Sequence, residues 1–277
     1  MKNDFTLALV GAGNMGGAML GGWLAQGVAA SSITVIDPSP PQSMAAMMAE
    51  AGVASFAQPP ADYSPDVLIL AVKPQIMSAV LPGLLPVVGP QTVSVSVAAG
   101  KTLAFFESAL GASGGTPAVI RAMPNTPALV RRGVTVCCPN AAVTKVQRLR
   151  VDALLGAVGR VEWVEDEALI DAVTAVSGSG PAYVFHLAEC MAAAGVEAGL
   201  PEELAMILAR ETVAGAGELL ARSPETPAKL RRNVTSPNGT TAAALEVLMG
   251  EGGLGPLMAR AVAAAKRRAQ ELSQEAH

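Results

Sequence analysis

The chain has 277 residues, of which 51% are hydrophobic, 15% charged and 3% aromatic, and its formal net charge at pH 7 is −4. This length suits two domains, and an acidic chain with few aromatic residues is unsuited to a nucleic-acid partner. The mean hydropathy of +0.41 is high for a soluble monomer, so we expect part of the surface to be covered in a homo-oligomer.

The first residues lack the pattern of a secretory signal peptide, because their short apolar run leads straight into a glycine loop. The sequence contains no uninterrupted apolar stretch of about 18 residues, the length that would predict a membrane span. Cys137 and Cys138 are neighbours and Cys190 stands alone, so neither a disulfide nor a zinc site is predicted. These features predict a cytoplasmic protein with no metal and no membrane partner.

The first part of the chain alternates short apolar runs, rich in β-branched residues, with longer helical ones. Strands are predicted at residues 7–10, 33–36, 67–72, 93–97, 119–122 and 134–137. Most of these runs lack the alternation of a half-exposed strand, which is typical of parallel strands buried on both faces. We therefore predict an α/β domain, a doubly wound parallel sheet, over residues 1–163.

After about residue 164 the β-branched runs disappear, and Ala, Leu, Glu and Met dominate the sequence. Helices are predicted at residues 168–177, 181–199, 201–222, 225–233, 240–250 and 254–274. The helix at 181–199 is apolar on nearly every face, which predicts burial in a bundle or in a dimer interface. The second predicted domain is therefore all-helical and spans residues 164–277.

A glycine-rich pattern follows the first predicted strand and opens a helix, which is the context of a dinucleotide-binding loop. Its residues are Gly11, Gly13, Asn14, Met15 and Gly16. The first glycine permits the turn, the second admits a pyrophosphate, and the third lets helix and strand pack closely. The helix N-terminus adds unpaired N–H groups for the phosphates. The alternative is a glycine-rich turn without a ligand.

Two charged residues follow the next strands. Asp37 ends the second strand, about 20 residues after the loop, where an acid can bind ribose hydroxyls and repel a 2′-phosphate. This favours NADH over NADPH, unless Asp37 only caps the turn before Pro38. Lys73 lies at the carboxyl end of the 67–72 strand, where phosphate or ribose would lie, or it is an ordinary surface lysine.

The sequence offers few acid–base side chains for catalysis. His186 lies inside an apolar predicted helix, where a core position is the commoner role. Imine reduction suits such a protein, because a protonated C=N bond is already electrophilic, whereas carbonyl reduction needs a proton donor. The polar segment 233–241 opens a helix, and its N–H groups could bind a carboxylate. The alternative is a Ser/Thr capping loop.

Taken together, these motifs resemble those of pyrroline-5-carboxylate reductases. The matching segments are GAGNMG at 11–16, AVKP at 71–74, RAMPNTP at 121–127, LIDAV at 169–173, VSGSGPAY at 176–183 and SPNGTT at 236–241. The resemblance implies an N-terminal Rossmann domain and a C-terminal helical dimerisation domain, in a homo-oligomer built from dimers. It also implies NADPH- or NADH-dependent reduction of the cyclic imine 1-pyrroline-5-carboxylate to L-proline.

The resemblance also implies site residues. Cofactor contacts would lie on the glycine loop from Gly11 to Gly16 and at Val72, Lys73, Ala99 and Asn233, with Gln58 as a further candidate. Many relatives have Asn at the position of Gln58, near the adenine ribose.

The substrate would lie at other residues. Its carboxylate would meet the backbone around Gly239, Thr240 and Thr241, with Ser236 and Glu167 also on the substrate side. The Thr241 hydroxyl would face the ring nitrogen and is the catalytic candidate. Asn238 stands where the family usually has glycine, and Asn tolerates left-handed backbone angles.

Two other functions fit the same two-domain pattern. A β-hydroxyacid dehydrogenase would need a lysine on a C-terminal helix as proton donor, and Lys229 and Lys266 are the lysines available there. A nucleotide-binding sensor without turnover is the non-enzyme alternative.

Overall fold

The computed structural model describes residues 5–111 and 115–274. In this part of the chain eight strands form one sheet. They are β1 (Leu7–Val10), β2 (Ile33–Ile36), β3 (Ala54–Phe56), β4 (Val67–Leu70), β5 (Val93–Ser96), β6 (Ala118–Met123), β7 (Gly133–Pro139) and β8 (Gly159–Trp163). Their spatial order is β3-β2-β1-β4-β5-β6-β7-β8.

The strands from β3 to β6 run parallel, in the 3-2-1-4-5-6 order of a dinucleotide-binding fold. The predicted doubly wound α/β sheet is therefore confirmed. The chain crosses from β3, on one side of β1, to β4 on the other side. In folds of this kind the ligand lies at such a reversal, beyond the carboxyl ends of the strands.

Three features of the sheet differ from the sequence prediction. β7 pairs with β6 in the antiparallel direction, because the few residues between them are too short for the crossover that a parallel pair requires. β3 and β8 were not predicted. β3 has only 3 residues, all exposed, and β8 alternates between half-buried and exposed residues, so neither forms an apolar run.

Helices cover both faces of the sheet. In the first part of the chain they are α1 (Asn14–Ala25), α2 (Gln42–Ala51), α3 (Pro74–Leu84), α4 (Leu103–Leu110), α5 (Lys145–Leu155) and α6 (Leu169–Val173). One core cluster contains Trp23 and a second contains Phe106 and Met77. The buried Trp23 Nε1 donates a hydrogen bond to the Leu154 carbonyl, 2.8 Å away, so α1 is joined to α5 by a satisfied polar contact.

The remaining helices are α7 (Gly180–Glu197), α8 (Glu202–Arg222), α9 (Pro227–Asn233), α10 (Thr240–Leu248) and α11 (Leu254–Gln274). The predicted helices of this region are confirmed, with ends that differ by a few residues. The helix predicted at 168–177 is divided, because α6 continues as a π-helix over Thr174–Gly178.

Contacts divide the chain into two compact units. The first contains the chain up to Gly178 and the end of α11 from Lys266, and the second is Ser179–Ala265. The predicted domain boundary at residue 163 follows the change from β-rich to helical sequence. The contacts instead place α6 and the π-helix with the sheet. The half-buried Gly100, for example, approaches Leu272 of α11 so closely that an added Cβ would lie 3.3 Å from the Leu272 Cβ.

The second unit leaves many large apolar side chains exposed. In α7 the single fully buried residue is Ala192, whereas Phe185 is 64% exposed. Neighbouring helices add other exposed side chains, including Ile207 and Leu208 of α8 and Val247 of α10. The chain alone therefore does not provide the burial that was predicted for the 181–199 helix. Among the described residues, no helix is both long enough and apolar enough to cross a lipid bilayer.

Candidate active site

The glycine loop makes a close turn between β1 and α1. Gly11 has φ +91°, a left-handed angle that favours glycine, and its N–H donates to the Ile36 carbonyl at 3.0 Å. A Cβ on Gly16 would lie 2.0 Å from the Gly11 carbonyl oxygen, so a side chain there would force helix and strand apart. A Cβ on Gly13 would meet nothing within 4 Å, which leaves the backbone open to a ligand.

The start of α1 presents polar hydrogens beside this opening. The first helical bond runs from the Gly17 N–H to the Gly13 carbonyl at 2.7 Å. The N–H groups of Asn14, Met15 and Gly16 precede it, so they have no partner within the helix. Together with the helix dipole they form an anion site suited to a pyrophosphate.

A cleft of about 830 Å³ opens at the carboxyl ends of β1, β2 and β4, large enough for a cofactor. Its lining contains these predicted cofactor residues: Gly11, Gly13, Asp37, Gln58, Val72 and Lys73. Apolar side chains of α3, among them Ile76 and Val80, complete the wall. The lining does not contain Asn14, Met15, Gly16 or Ala99. The fold therefore brings six of the predicted residues together around one cleft.

Asp37 joins the cleft to the glycine loop. Its Oδ2 accepts a hydrogen bond from the Ala12 N–H at 2.7 Å, and its Oδ1 accepts one from the Ser39 N–H at 2.8 Å. The turn-capping role considered from the sequence is therefore present, and Asp37 also holds the loop. Each carboxylate oxygen has a second lone pair, so these contacts leave acceptors for ribose hydroxyls.

Lys73, Gln58 and Ala99 extend the cofactor candidates along the same edge of the sheet. Lys73 is exposed and precedes α3, which has Pro74 at its first turn. Gln58 is exposed on the cleft wall. Ala99 is half-buried and follows β5, so it lies beyond the carboxyl end of the next strand.

Arg121, Glu167 and Asp171 form a largely buried charge cluster, which was not predicted from the sequence. Arg121 of β6 is 4% exposed, and its guanidinium lies 2.8 Å from Glu167 Oε1 and 3.5 Å from Asp171 Oδ1. Glu167 Oε1 also accepts a hydrogen bond from the Leu103 N–H at the start of α4, at 2.9 Å. The sequence did contain a signal for this cluster. Arg121 lies in a strand that was predicted to be buried, and a buried charge requires a partner.

Glu167 therefore has structural contacts in addition to its predicted substrate role. Its Oε1 is bound by Arg121 and by the backbone of α4. Across the strand pair, Arg121 lies opposite Cys138. Burial, with a smaller contribution from Glu167, raises the pKa of the Cys138 thiol to about 11. Burial also raises the pKa of the Cys137 thiol, so both groups are protonated at neutral pH.

In the second unit, the segment before α10 and the first turn of this helix together contain most of the predicted substrate residues. Asn238 has φ +58°, the left-handed angle that we expected Asn to tolerate, and the Gly239 N–H donates to the Ser236 carbonyl at 3.1 Å. Gly239 is the N-cap of α10, and no side chain caps this helix. A Ser/Thr capping role therefore does not explain the polar segment.

The first turn of α10 presents Thr240 and Thr241. The Ala243 N–H donates to the Gly239 carbonyl at 3.2 Å, so the N–H groups of both threonines precede the helical bonds. Thr240 is exposed and Thr241 is half-buried. Asn233, the predicted cofactor contact in this unit, is exposed at the end of α9.

Other polar candidates do not form a second site. Among residues 5–111 and 115–274, no group of three or more His, Cys, Asp or Glu side chains is placed to hold a metal. His186 is exposed on α7, not in a core, and its Nδ1 lies 3.0 Å from Glu189 Oε2. Lys229 and Lys266, the candidate proton donors of a hydroxyacid dehydrogenase, are both exposed.

Two family models match the chain. The model described as NADP oxidoreductase coenzyme F420-dependent matches residues 6–100, which contain the glycine loop and the cleft. The model described as pyrroline-5-carboxylate reductase dimerisation matches residues 167–272, which contain Glu167 and the helices from α6 to most of α11.

Relatives match the chain over nearly its full length. A pyrroline-5-carboxylate reductase of Pseudomonas aeruginosa is 45% identical over 97% of this chain and 97% of its own. The enzyme of that name from Escherichia coli K12 is 40% identical over 89% of this chain and 90% of its own.

Solved structures of pyrroline-5-carboxylate reductases are also similar to this chain. A pyrroline-5-carboxylate reductase from Coxiella burnetii superposes with a TM-score of 0.88 at 34% identity, covering 98% of this chain and 99% of its own. The Plasmodium falciparum pyrroline carboxylate reductase with NADP bound gives a TM-score of 0.80 at 26% identity, covering 99% and 100%. The chain belongs to the pyrroline-5-carboxylate reductase family.

Proposed function

We propose that this protein reduces 1-pyrroline-5-carboxylate to L-proline with NADPH or NADH, the last step of proline biosynthesis. The observation that carries the proposal is the 45% identity to the Pseudomonas aeruginosa enzyme over 97% of both chains. The cleft beside the glycine loop supports it, because the open approach at Gly13 and the unpaired N–H groups of α1 fit a dinucleotide.

The cofactor would be held by the first unit. The N–H groups of Asn14, Met15 and Gly16 would bind the pyrophosphate, and Lys73 would add a positive charge at the same edge. Gln58 and Asp37 would border the adenosine ribose, with Val72 and Ala99 along the strand ends. When bound, the nicotinamide supplies the hydride of the reaction. The half-buried carboxylate of Asp37 would favour NADH, because it accepts ribose hydroxyls and repels a 2′-phosphate.

The substrate would be held at the start of α10. Its carboxylate would accept hydrogen bonds from the Thr240 and Thr241 N–H groups, whose open helix N-terminus favours an anion. Ser236 and Gly239 would border this site, with Glu167 and Asn233 as further family-based candidates on the substrate and cofactor sides.

The Thr241 hydroxyl would bind the ring nitrogen. Hydride addition to the ring carbon moves the C=N π electrons to nitrogen, which already holds a proton, so a neutral amine results. The hydroxyl can accept the iminium N–H before this step and donate to the amine lone pair after it. No separate acid is needed, which fits a chain with few titratable side chains near these segments.

The exposed apolar side chains of α7, α8 and α10 support a homo-oligomer, since patches of this kind mark protein interfaces. The match to a dimerisation family model over residues 167–272 supports the same conclusion. We propose an assembly built from dimers, in the cytoplasm, with neither nucleic acid nor membrane as a partner. The net charge of −4 favours this choice.

The test is a cofactor-oxidation assay with the purified full-length chain. We expect consumption of NADH or NADPH that depends on 1-pyrroline-5-carboxylate, with proline as the product. Oxidation of a 3-hydroxy acid with NAD⁺ would favour the hydroxyacid dehydrogenase alternative, and tight cofactor binding without any turnover would favour the sensor. Sedimentation of the same sample measures the oligomer, and a monomer at micromolar concentration would contradict the assembly proposed here.

A further inference from the structure

The π-helix Thr174–Gly178 is an unusual element beside the sheet. Such turns are rare and occur frequently at functional sites. The Thr174 hydroxyl donates to the Ile170 carbonyl at 2.8 Å, and the Ser177 hydroxyl donates to the Val173 carbonyl at 3.1 Å. Back-bonding of this kind is common where helices bend. Both hydroxyls of the π-helix are therefore satisfied by carbonyls of the preceding turn.

A single amide joins this π-helix to the segment that follows β6. Asn125 Nδ2 donates to the Ser177 carbonyl at 3.2 Å, and Asn125 Oδ1 accepts from the Val134 N–H, at the start of β7, at 2.9 Å. Both ends of this half-buried side chain are thus engaged. Its donor and its acceptor hold two different backbone segments in a fixed relation.

A second, independent contact brings the same two segments together. A Cβ on Gly178 would lie 2.6 Å from Met123 Cε, closer than real side chains approach each other. Met123 is the last residue of β6, so the π-helix rests directly on the end of this strand. A side chain at position 178 would therefore displace the Met123 methyl group.

The segment held in this way lies at the cofactor edge of the sheet. β5 and β6 are parallel, and their last paired residues are Ser96 and Arg121. Because parallel neighbours end at the same edge of the sheet, Ala99, which follows β5, and Pro124, which follows β6, both lie beyond this edge. Asp37, the carboxylate expected to bind the ribose, follows β2, whereas Ala99 follows β5, farther along the same edge. We expect the reacting ring of the cofactor near Ala99. Pro124 and Asn125 follow β6, the next strand, and so lie beside this part of the edge.

We propose that Asn125 is a positioning residue for hydride transfer. It touches neither cofactor nor substrate, and acts by fixing residues 123–125 against the Ser177 carbonyl, so that the edge next to Ala99 keeps one geometry. A hydride moves only when donor and acceptor carbons are held at close range, and small displacements there are costly in rate. This inference rests on the proposed reductase function.

The test variant is Asn125→Asp, which keeps the size of the side chain and the acceptor for the Val134 N–H. It replaces the donor with an oxygen that repels the Ser177 carbonyl. We expect kcat to fall about tenfold or more, whereas the KM for the cofactor changes less than threefold. With cofactor deuterated at the transferred position, we expect a larger isotope effect on kcat than in the wild type, because hydride transfer becomes slower relative to other steps.

The matched control is Asn140→Asp, at the opposite end of β6. Asn140 Oδ1 accepts from the Val119 N–H at 3.1 Å, and its Nδ2 donates to the Pro117 carbonyl and to Glu107 Oε1, both at 2.8 Å. The variant therefore removes the same kind of side-chain amide beside β6, but at the start of this strand, far from the carboxyl edge. We expect this variant to lose stability while its kcat per folded enzyme and its isotope effect stay at the wild-type values.

The outcomes separate the two proposals. A wild-type chain that is inactive with 1-pyrroline-5-carboxylate defeats the proposed function itself. An active wild type with unchanged kcat and isotope effect in Asn125→Asp overturns the role of Asn125, and so do equal losses of kcat in the Asn125 and Asn140 variants. If Asn125→Asp does not fold, Asn125→Ser is assayed instead, and wild-type kcat and isotope effect in that variant overturn the proposal equally.

Discussion

Replacing Asp37 by asparagine should shift the cofactor preference from NADH toward NADPH. Asparagine keeps the shape of the side chain and can still accept from one of the Ala12 and Ser39 N–H groups, which lie 2.7 and 2.8 Å from the carboxylate in the wild type. What it removes is the negative charge. A ribose 2′-phosphate carries close to two negative charges, and each costs about 0.8 kcal/mol against a carboxylate roughly 5 Å away in water-like surroundings.

Removal of this repulsion should therefore raise kcat/KM for NADPH by on the order of tenfold. Weaker hydrogen bonds to the ribose should lower kcat/KM for NADH by a similar factor, since bonds to a charged group contribute about 1.5–3 kcal/mol. Steady-state assays with both cofactors measure the ratio. The control is Glu50→Gln, an exposed residue of α2 outside the cleft lining. A wild type that already prefers NADPH strongly, or an equal shift in the control, would refute the ribose argument.

Four further predictions concern Thr241, Gly16, Gly13 and Cys138. Thr241→Ala should lower kcat about tenfold or more, the scale of one lost charge-assisted hydrogen bond, and unchanged kinetics would remove Thr241 from the reaction. Gly16→Ala should lower the free energy of unfolding by about 1–3 kcal/mol, because its Cβ would lie 2.0 Å from the Gly11 carbonyl oxygen. Gly13→Ala, which meets nothing within 4 Å, should weaken NADH binding in a fluorescence titration with little effect on urea unfolding. Finally, the free energy of unfolding should fall as pH rises from about 8.5 toward the Cys138 pKa of about 11, because the thiol ionises in the unfolded chain before it does in the folded one. Cys138→Ala should lessen this fall in urea titrations at pH 7.5 and 10, and an identical pH dependence in the variant would contradict the assignment.

The strands that were predicted correctly share one physical property. β1, β4 and β5 are fully buried, and β2, β6 and β7 contain only buried and half-buried residues. Their sequences must therefore be largely apolar or small, a requirement that is visible in the sequence. β3 and β8 have exposed residues and therefore lack it. The antiparallel direction of β7 depends on the length of the connection after β6, a feature that apolar runs do not report.

In the candidate site, too, some features could be predicted from the sequence and others could not. The glycine loop could be predicted because its turn and its helix start are formed by neighbouring residues, and the left-handed angle of Asn238 could be predicted for the same reason. The two contacts of the Asp37 carboxylate could not be assigned, because both the turn cap and the loop contact suit an acid at that position. Only the folded positions of Ala12 and Ser39 show that it makes both.

The α/β and helical character of the chain, the dinucleotide loop and the family could all be predicted before the fold was known. These follow from local backbone requirements and from apolar patterning. The tertiary structure alone decided which partners satisfy buried polar groups: Arg121 with Glu167, 46 residues away, and Asn125 with Ser177, 52 residues away. A buried charge or amide must find a partner, but any of several residue types can serve, so the choice is made only when distant segments meet in the fold.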